Sequence, residues 1–593
     1  MNREIHRFAD FELDKNCREL RLDGHEIPLQ PRVFELLLYL VENRERVVSK
    51  QELLDVLWPG VIVTEGSLQR AVSLARSALQ RGGLKDAIRN YARRGYRFII
   101  DNLSPDANLP ERNTLEEAEQ LFVKGQWNMA LQAFADLDRQ LPLSAENLER
   151  WATAAQCAGE LCKAISPLER AAIAFSRRGE NEAAARVLIS LARIQIESLD
   201  LAVAHGCLRR AKNLLRDLPQ GKQHGFLAWM TARYHLNNGV LPEALRYAME
   251  ACEIGRVTQD ADIESMGLVI WGIGLQASGD MLAGKELQDE AAASVLAGNV
   301  SPLIGGIIYC GVISSCCNCE DWRRAEQWTE HFSRWCERSN IDTFTGACLI
   351  HRAEVFAMAG KLDLAHDAII RADPFIRVGA PWALGDACRL LGDVHLARGD
   401  DDTSERSYLD AYQHGCDPYP GYASLLHQRG HSVEAVQGLK RIAAMTNWVA
   451  SERRARYLAH AAQIASLAGL LDEARELIQT LDSQPKMWEA GAVAGQVARA
   501  RAELFWAMGN QNEALPLFSR GIEVLRKNGA VMDTALLHMR LAEIFFFRGE
   551  LAAGAMELGA AEAVFLAAGA TGYLAKCRSL RANEIDAKAG STQ

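Results

Sequence analysis

Apolar and polar residues alternate through the first thirty positions: the runs at 8–14, 18–24 and 25–30 each put their apolar side chains on one face. A period of two predicts short strands. Asp23-Gly24 predicts a hairpin turn, because both residues accept left-handed backbone. From Pro31 the period lengthens. Val33, Leu36, Leu37, Leu40 and Val41 fall on one helical face, and Pro31 suits a first turn, where its missing N–H loses no partner. Ser49-Lys-Gln-Glu52 is a capping-box pattern that predicts a second helix, stopped by Pro59-Gly60. A third helix is predicted over 67–80, starting at Ser67. Its inward face is Leu68, Ala71, Val72, Ala75, Ala78 and Leu79; its outward face is Gln69, Arg70, Ser73, Arg76, Ser77 and Gln80. The run 90–100 predicts a closing hairpin that turns at Arg94-Gly95.

Past residue 101 the strand pattern stops. Residues 102–113 carry two prolines and no apolar periodicity, which marks a linker. From 114 to 585 the chain repeats. A small residue, most often Gly, sits at a turn, and an acidic or polar stretch and an amphipathic helix follow, as after Gly239, Gly360, Gly469 and Gly509. The turns fall near 125, 159, 199, 239, 279, 320, 360, 399, 430, 469, 509 and 549, mostly 39–41 residues apart. One such period holds an antiparallel helix pair, and stacked pairs bury a continuous core. Alanines shortly after the turn (Ala244, Ala474, Ala514) let neighbouring helices approach closely. About eleven hairpins wound into a superhelix are expected, with a flexible tail at 586–593. The array resembles the tetratricopeptide class, and its longer period is similar to the sensor arrays of large bacterial transcription activators. The fold class expected is therefore multidomain: a small α+β domain, 1–101, followed by an all-α superhelix.

Charge sharpens this division. The whole chain is net −10, but residues 1–103 hold 17 Lys and Arg against 15 Asp and Glu, and the remainder 49 against 61. Within 66–97 eight basic residues face the single acid Asp86. A local excess of that size inside an acidic protein is an electrostatic footprint for a polyanion. On the third helix, Gln, Arg and Ser at helical spacing are the side chains that hydrogen-bond base edges in a major groove.

The order of strands, three helices and hairpin, with PLQPRVFELLLYL, VVSKQELLDVLWPG, SLQRAVSLARSAL and RRGYRF in sequence, resembles the winged-helix effector domain of response regulators. It is closest to the one-component relatives that carry this domain at the N-terminus. The resemblance implies that 67–80 is the recognition helix and that Arg93, Arg94, Gly95 and Tyr96 form the wing. It also implies that 59–65 contacts RNA polymerase. Many relatives have an Arg where this chain has Ser73 or Leu74, so base preference does not carry over. With a few residues before the first strand, control by a phospho-acceptor domain is not expected.

The remaining signals are weaker in chemistry. There is no G-x-x-x-x-G-K-[ST], G-x-S-x-G or H-E-x-x-H motif, so no enzyme, cofactor or metal is expected. His351, His366 and His395 lack ligand spacing. Cys310, Cys316, Cys317 and Cys319 form the densest thiol cluster, but no second C-x₂-C pair accompanies it, and packing is the expected role. The charge-free stretch 291–319 is the one membrane-span candidate in the sequence; Asn299, Ser301 and Pro302 interrupt it, and a buried repeat helix is expected instead. Trp271, Trp322 and Trp328 are candidate effector contacts on a concave surface. The chain therefore reads as a cytoplasmic bacterial transcription regulator without a membrane span. Its expected partners are double-stranded DNA, RNA polymerase, an effector or protein on the repeats, and a second copy in a homodimer. The competing reading is an interaction scaffold whose winged helix has lost DNA binding.

Overall fold

The computed structural model describes the chain other than residues 1–4, 9–10, 15–17, 23–24, 44–45, 58–64, 83, 85–86, 92–94, 99–113, 340, 342–345, 446–450, 484–490 and 591–593. It divides into two compact units, Met1–Arg112 and Asn113–Gln593. The stretch expected as a linker, 102–113, lies outside the described residues.

In the first unit, β1 (Ile5–Phe8), β2 (Phe11–Asp14), β3 (Glu19–Leu22) and β4 (His25–Ile27) form an antiparallel sheet in that order. Leu22 pairs with His25; the turn expected at Asp23-Gly24 lies outside the described residues. Helix α1 (Pro31–Glu42) buries all five residues assigned to its inner face, together with Phe34. Helix α2 (Lys50–Leu57) opens with the Glu52 N–H donating to Ser49 Oγ at 3.1 Å. The Glu52 carboxylate also accepts from Arg46 Nη1 and the Tyr39 hydroxyl, both at 2.9 Å, and its pKa falls to about 2, chiefly through the Arg46 hydrogen bond, with a smaller contribution from the Ser49 backbone. Helix α3 (Glu65–Gln80) starts two residues earlier than expected. β5 (Ile88–Tyr91) and β6 (Gly95–Phe98) make the closing hairpin. One core, including Phe8, Phe11, Leu36, Leu53, Leu68, Leu79 and Phe98, is shared by every element.

The second unit is helical. Twelve helix pairs run among the described residues from Leu115–Val123 onward, one more than expected, and Thr571–Gly590 closes the array. That last helix continues beyond 585, so the tail expected from 586 is helical backbone as far as Gly590. All twelve turn positions read from the sequence have positive φ. Ten are glycines, and Leu199 (64°) and Glu320 (52°) occupy the same left-handed conformation. At Gly239 the geometry is that of a Schellman ending: its N–H donates to the Leu236 carbonyl and the Val240 N–H to the His235 carbonyl. Ala244, Ala474 and Ala514 are buried at helix contacts.

Turns far apart in sequence grip one another. Arg323 N–H donates to the Asn528 carbonyl, Ala492 N–H to the Glu320 carbonyl, and the Thr571 hydroxyl to the Arg398 carbonyl. These bonds tie the middle repeats to the last ones. The helix Pro302–Asn318 is buried, as expected for the charge-free stretch. Among the described residues, the helix long and apolar enough to cross a membrane is a different one, Leu551–Ala568.

The tryptophans correct the picture of a concave aromatic site. Trp322 is 2% exposed and belongs to the core, whose largest buried side chains also include Tyr309 and Phe332. Trp271 is half-buried against the same core. Trp328 donates from Nε1 to Asp289 at 2.8 Å and borders a groove of about 380 Å³ with Arg323, Arg324, Gln327 and His331. Cys316 and Cys317 are buried, and burial pushes the Cys316 thiol up to about 12. Cys310 lies 3.7 Å from His351 Nδ1.

Candidate nucleic-acid interface

Helix α3 separates its two faces cleanly. Leu68, Ala71, Val72, Ala75, Ala78 and Leu79 are each no more than 5% exposed. Opposite them Gln69, Arg70, Ser73, Ser77 and Gln80 are exposed. Sixteen residues make a rod about 24 Å long, and a major groove about 12 Å wide admits such a rod. The exposed arc also contains Leu74 (38%), and Arg81 follows in the turn after the helix. Sequence reasoning placed Leu74 on neither face; its signal was its position one turn after Arg70. An exposed leucine there offers an apolar contact of the kind a thymine methyl accepts.

Two expected contacts are not on this face. Arg76 sits at the edge of the helix, half-buried, and its guanidinium donates from Nε (3.0 Å) and Nη2 (2.7 Å) to the Ile88 carbonyl. Those bonds tie α3 to the hairpin and leave the charge committed to the fold. Tyr96 is 4% exposed. It is a core residue of β6, and its backbone exchanges two 2.9 Å hydrogen bonds with Val48. That bridge needs Gly95 beside it: Gly95 has φ +138°, and a Cβ there would lie 1.9 Å from the Val48 carbonyl oxygen. Arg93, Arg94 and residues 59–64 lie outside the described residues, as does the side chain of Ser67.

The electrostatics suit a polyanion. Arg70 stands exposed on the helix and Arg81 in the turn just after it, and none of the residues on the exposed arc is acidic. By contrast Arg46 is held by Glu52 and Arg18 by Glu35, so these cations are already paired inside the domain.

Residues 24–98 match the family described as "Transcriptional regulatory protein, C terminal". The N-terminal unit is a transcriptional-regulator winged helix. Curated relatives include the transcriptional activator CadC of Escherichia coli K12, 22% identical over 192 residues, which covers 25% of this chain and 38% of CadC. The phosphate regulon transcriptional regulatory protein PhoB of Rhizobium meliloti is 33% identical over 91 residues, 15% of this chain and 40% of PhoB. The chain thus spans about two fifths of the length of these two relatives. Among solved structures, the Cut9–Hcn1 hetero-tetramer of APC/C aligns with 78% of this chain and 95% of its own at 10% identity and a TM-score of 0.33. The family match lies wholly within the first unit, and the second unit consists of the helical repeats.

Proposed function

We propose that the chain is a cytoplasmic transcription regulator that reads double-stranded DNA with the exposed arc of α3. The observation that carries this reading is the division of that helix: one face wholly apolar and buried, the other composed of Gln69, Arg70, Ser73, Leu74, Ser77 and Gln80. Arg70 donates to a guanine edge and Gln69 donates to and accepts from an adenine edge, and Arg93 and Arg94 engage the phosphates beside the groove. Residues 102–113 link this domain to the repeats. The repeat unit receives an effector or a protein partner and alters promoter occupancy, contact of 59–65 with RNA polymerase, or pairing of two copies.

The test is DNA binding by the full chain across a salt series, with binding sites selected from a random pool. Affinity is expected to fall steeply as salt rises. Arg70→Ala should change the selected sequence, with a loss of about 1–3 kcal/mol on the wild-type site. Binding that is absent at low salt, or the same selected sequence for both proteins, refutes the reading and favours an interaction scaffold.

A further inference from the structure

Two turns of the repeat unit, 173 residues apart, meet backbone to backbone. The Thr571 hydroxyl donates to the Arg398 carbonyl at 2.7 Å, and Gly572 sits so close to Gly399 that a Cβ on it would lie 2.4 Å from the Gly399 nitrogen. A cleft of about 600 Å³ opens along this contact. One wall comes from the helices Ala383–Arg398 and Asp401–Gln413, the other from Val531–Phe547 and Thr571–Gly590. Small-molecule sites commonly span about 300–1,000 Å³. The polar lining reaches solvent: Lys576, Thr571 and Ser579 are exposed, and Asp401 and Glu543 are half-buried.

Four charged side chains line the cleft. Two are matched: Arg398 pairs with Asp363, and Glu543 with Arg540 at 2.9 Å. The other two are not. Among the described residues neither the Lys576 ammonium nor the Asp401 carboxylate makes an ion pair, although they share the cleft. Asp401 is also free of capping duty, because Asp400 caps that helix by accepting from the Thr403 N–H. Lys576 lies 5.4 Å from the centre of the Tyr573 ring. The protein around it pushes its pKa below the usual value, against the opposing pull of Asp401 and Glu543. An ammonium so placed gains from a further counter-charge. The two hydroxyls spend their protons on backbone carbonyls, Thr571 on Arg398 and Ser579 on Ala575 (3.1 Å), so each has only lone pairs left to offer. Leu396, Met539 and Leu580 supply an apolar part of the lining.

A cation and an anion that do not pair with each other, beside hydroxyls that can only accept and an apolar wall, complement a molecule that carries the opposite pair of charges. On the reading that the repeats receive the signal, we infer that this cleft binds a zwitterion with an apolar side chain, a free α-amino acid or a short peptide. Its carboxylate accepts from Lys576. Its ammonium donates to Asp401, with Thr571 and Ser579 as further acceptors. Its side chain lies against Met539 and Leu580. Both charges are needed, since a site built to bond a polar group discriminates strongly against an analogue that lacks it. The two walls belong to repeats far apart in sequence, so a bound molecule ties them together and suppresses local opening at the contact between the turns.

The experiment titrates L-leucine, L-methionine, L-phenylalanine and the dipeptide Leu-Leu into the full chain by calorimetry, each beside its C-terminal amide and its N-acetyl derivative. At least one of the four zwitterions should saturate, and its two derivatives should bind at least tenfold more weakly. Saturation by an amino acid assigns a free amino acid, and by Leu-Leu alone a peptide. Lys576→Met and Asp401→Asn, both at solvent-accessible positions, should each raise Kd at least tenfold; Arg578→Gln, exposed on the same helix but outside the cleft, should leave it unchanged. Amide exchange at 396–401 and 571–580 should slow when the ligand is bound. No saturation by any of the four, equal binding of an amide or N-acetyl derivative, a Kd indifferent to both cleft variants, or unaltered exchange at both turns overturns the inference. No DNA is present, so such a failure leaves the reading of α3 untouched. It also leaves room for a protein partner elsewhere on the repeats, and only this cleft is lost as the receiving site.

Discussion

Arg70 and Arg76 lie six residues apart on one helix, and replacing each by alanine should produce opposite phenotypes. Arg76 makes two charge-assisted hydrogen bonds to the Ile88 carbonyl, at 3.0 and 2.7 Å. A hydrogen bond to a charged group contributes about 1.5–3 kcal/mol when buried. Arg76 is half-buried and both bonds share one acceptor, which places the loss for Arg76→Ala at about 1–2 kcal/mol. In a domain of this size that is a fall of about 5–15 °C in Tm. Arg70 has no such partner among the described residues and is exposed, so Arg70→Ala should leave Tm within about 1 °C. The assay is urea and thermal unfolding of residues 1–112, whose core is its own, followed by sequence selection on the folded variants. Arg76→Ala should retain the wild-type consensus; Arg70→Ala should not. An Arg76→Ala protein of unchanged stability and altered consensus would show that Arg76 leaves Ile88 and reads bases, and would refute the assignment.

Further outcomes follow from single contacts. Gly95→Ala should cost about 3 kcal/mol or more, measured by denaturant unfolding, because the added Cβ would meet the Val48 carbonyl at 1.9 Å and the residue would be held at φ +138°. Glu52, held at about 2 chiefly by the Arg46 hydrogen bond, contributes stability that is complete above its unfolded pKa of about 4.5 and declines as pH falls toward 2. Glu52→Gln should flatten that acid limb in a pH series of unfolding curves, and an unchanged slope would contradict the pairing. Trp322→Ala should destabilise the repeat unit by about 3–5 kcal/mol, read by calorimetry, since the indole is 2% exposed; an effect below about 1 kcal/mol would put Trp322 outside the core.

Periodicity alone was enough to sort the buried faces of α3 and α1, because which way a helical side chain points depends on its position along the helix. The twelve turn positions were legible for a similar reason. A left-handed φ is a property of one residue, and glycine advertises it. Arg76 and Tyr96 were misread because their roles depend on partners outside their own segment: an Arg at a helix edge becomes a strut only when β5 presents the Ile88 carbonyl, and a wing tyrosine is core only because Val48 bridges to it. Trp322 illustrates the same limit, since composition cannot tell an indole that lines a groove from one that fills a core. The buried ion-pair cluster of the repeat unit had no local signal at all. Glu320, Arg456, Arg499 and Asp533 come from four separate repeats, and superhelical winding brings them together. Such side chains look like ordinary polar positions along the chain. Their charge becomes consequential only where the tertiary structure removes water and leaves some of them without a counter-charge.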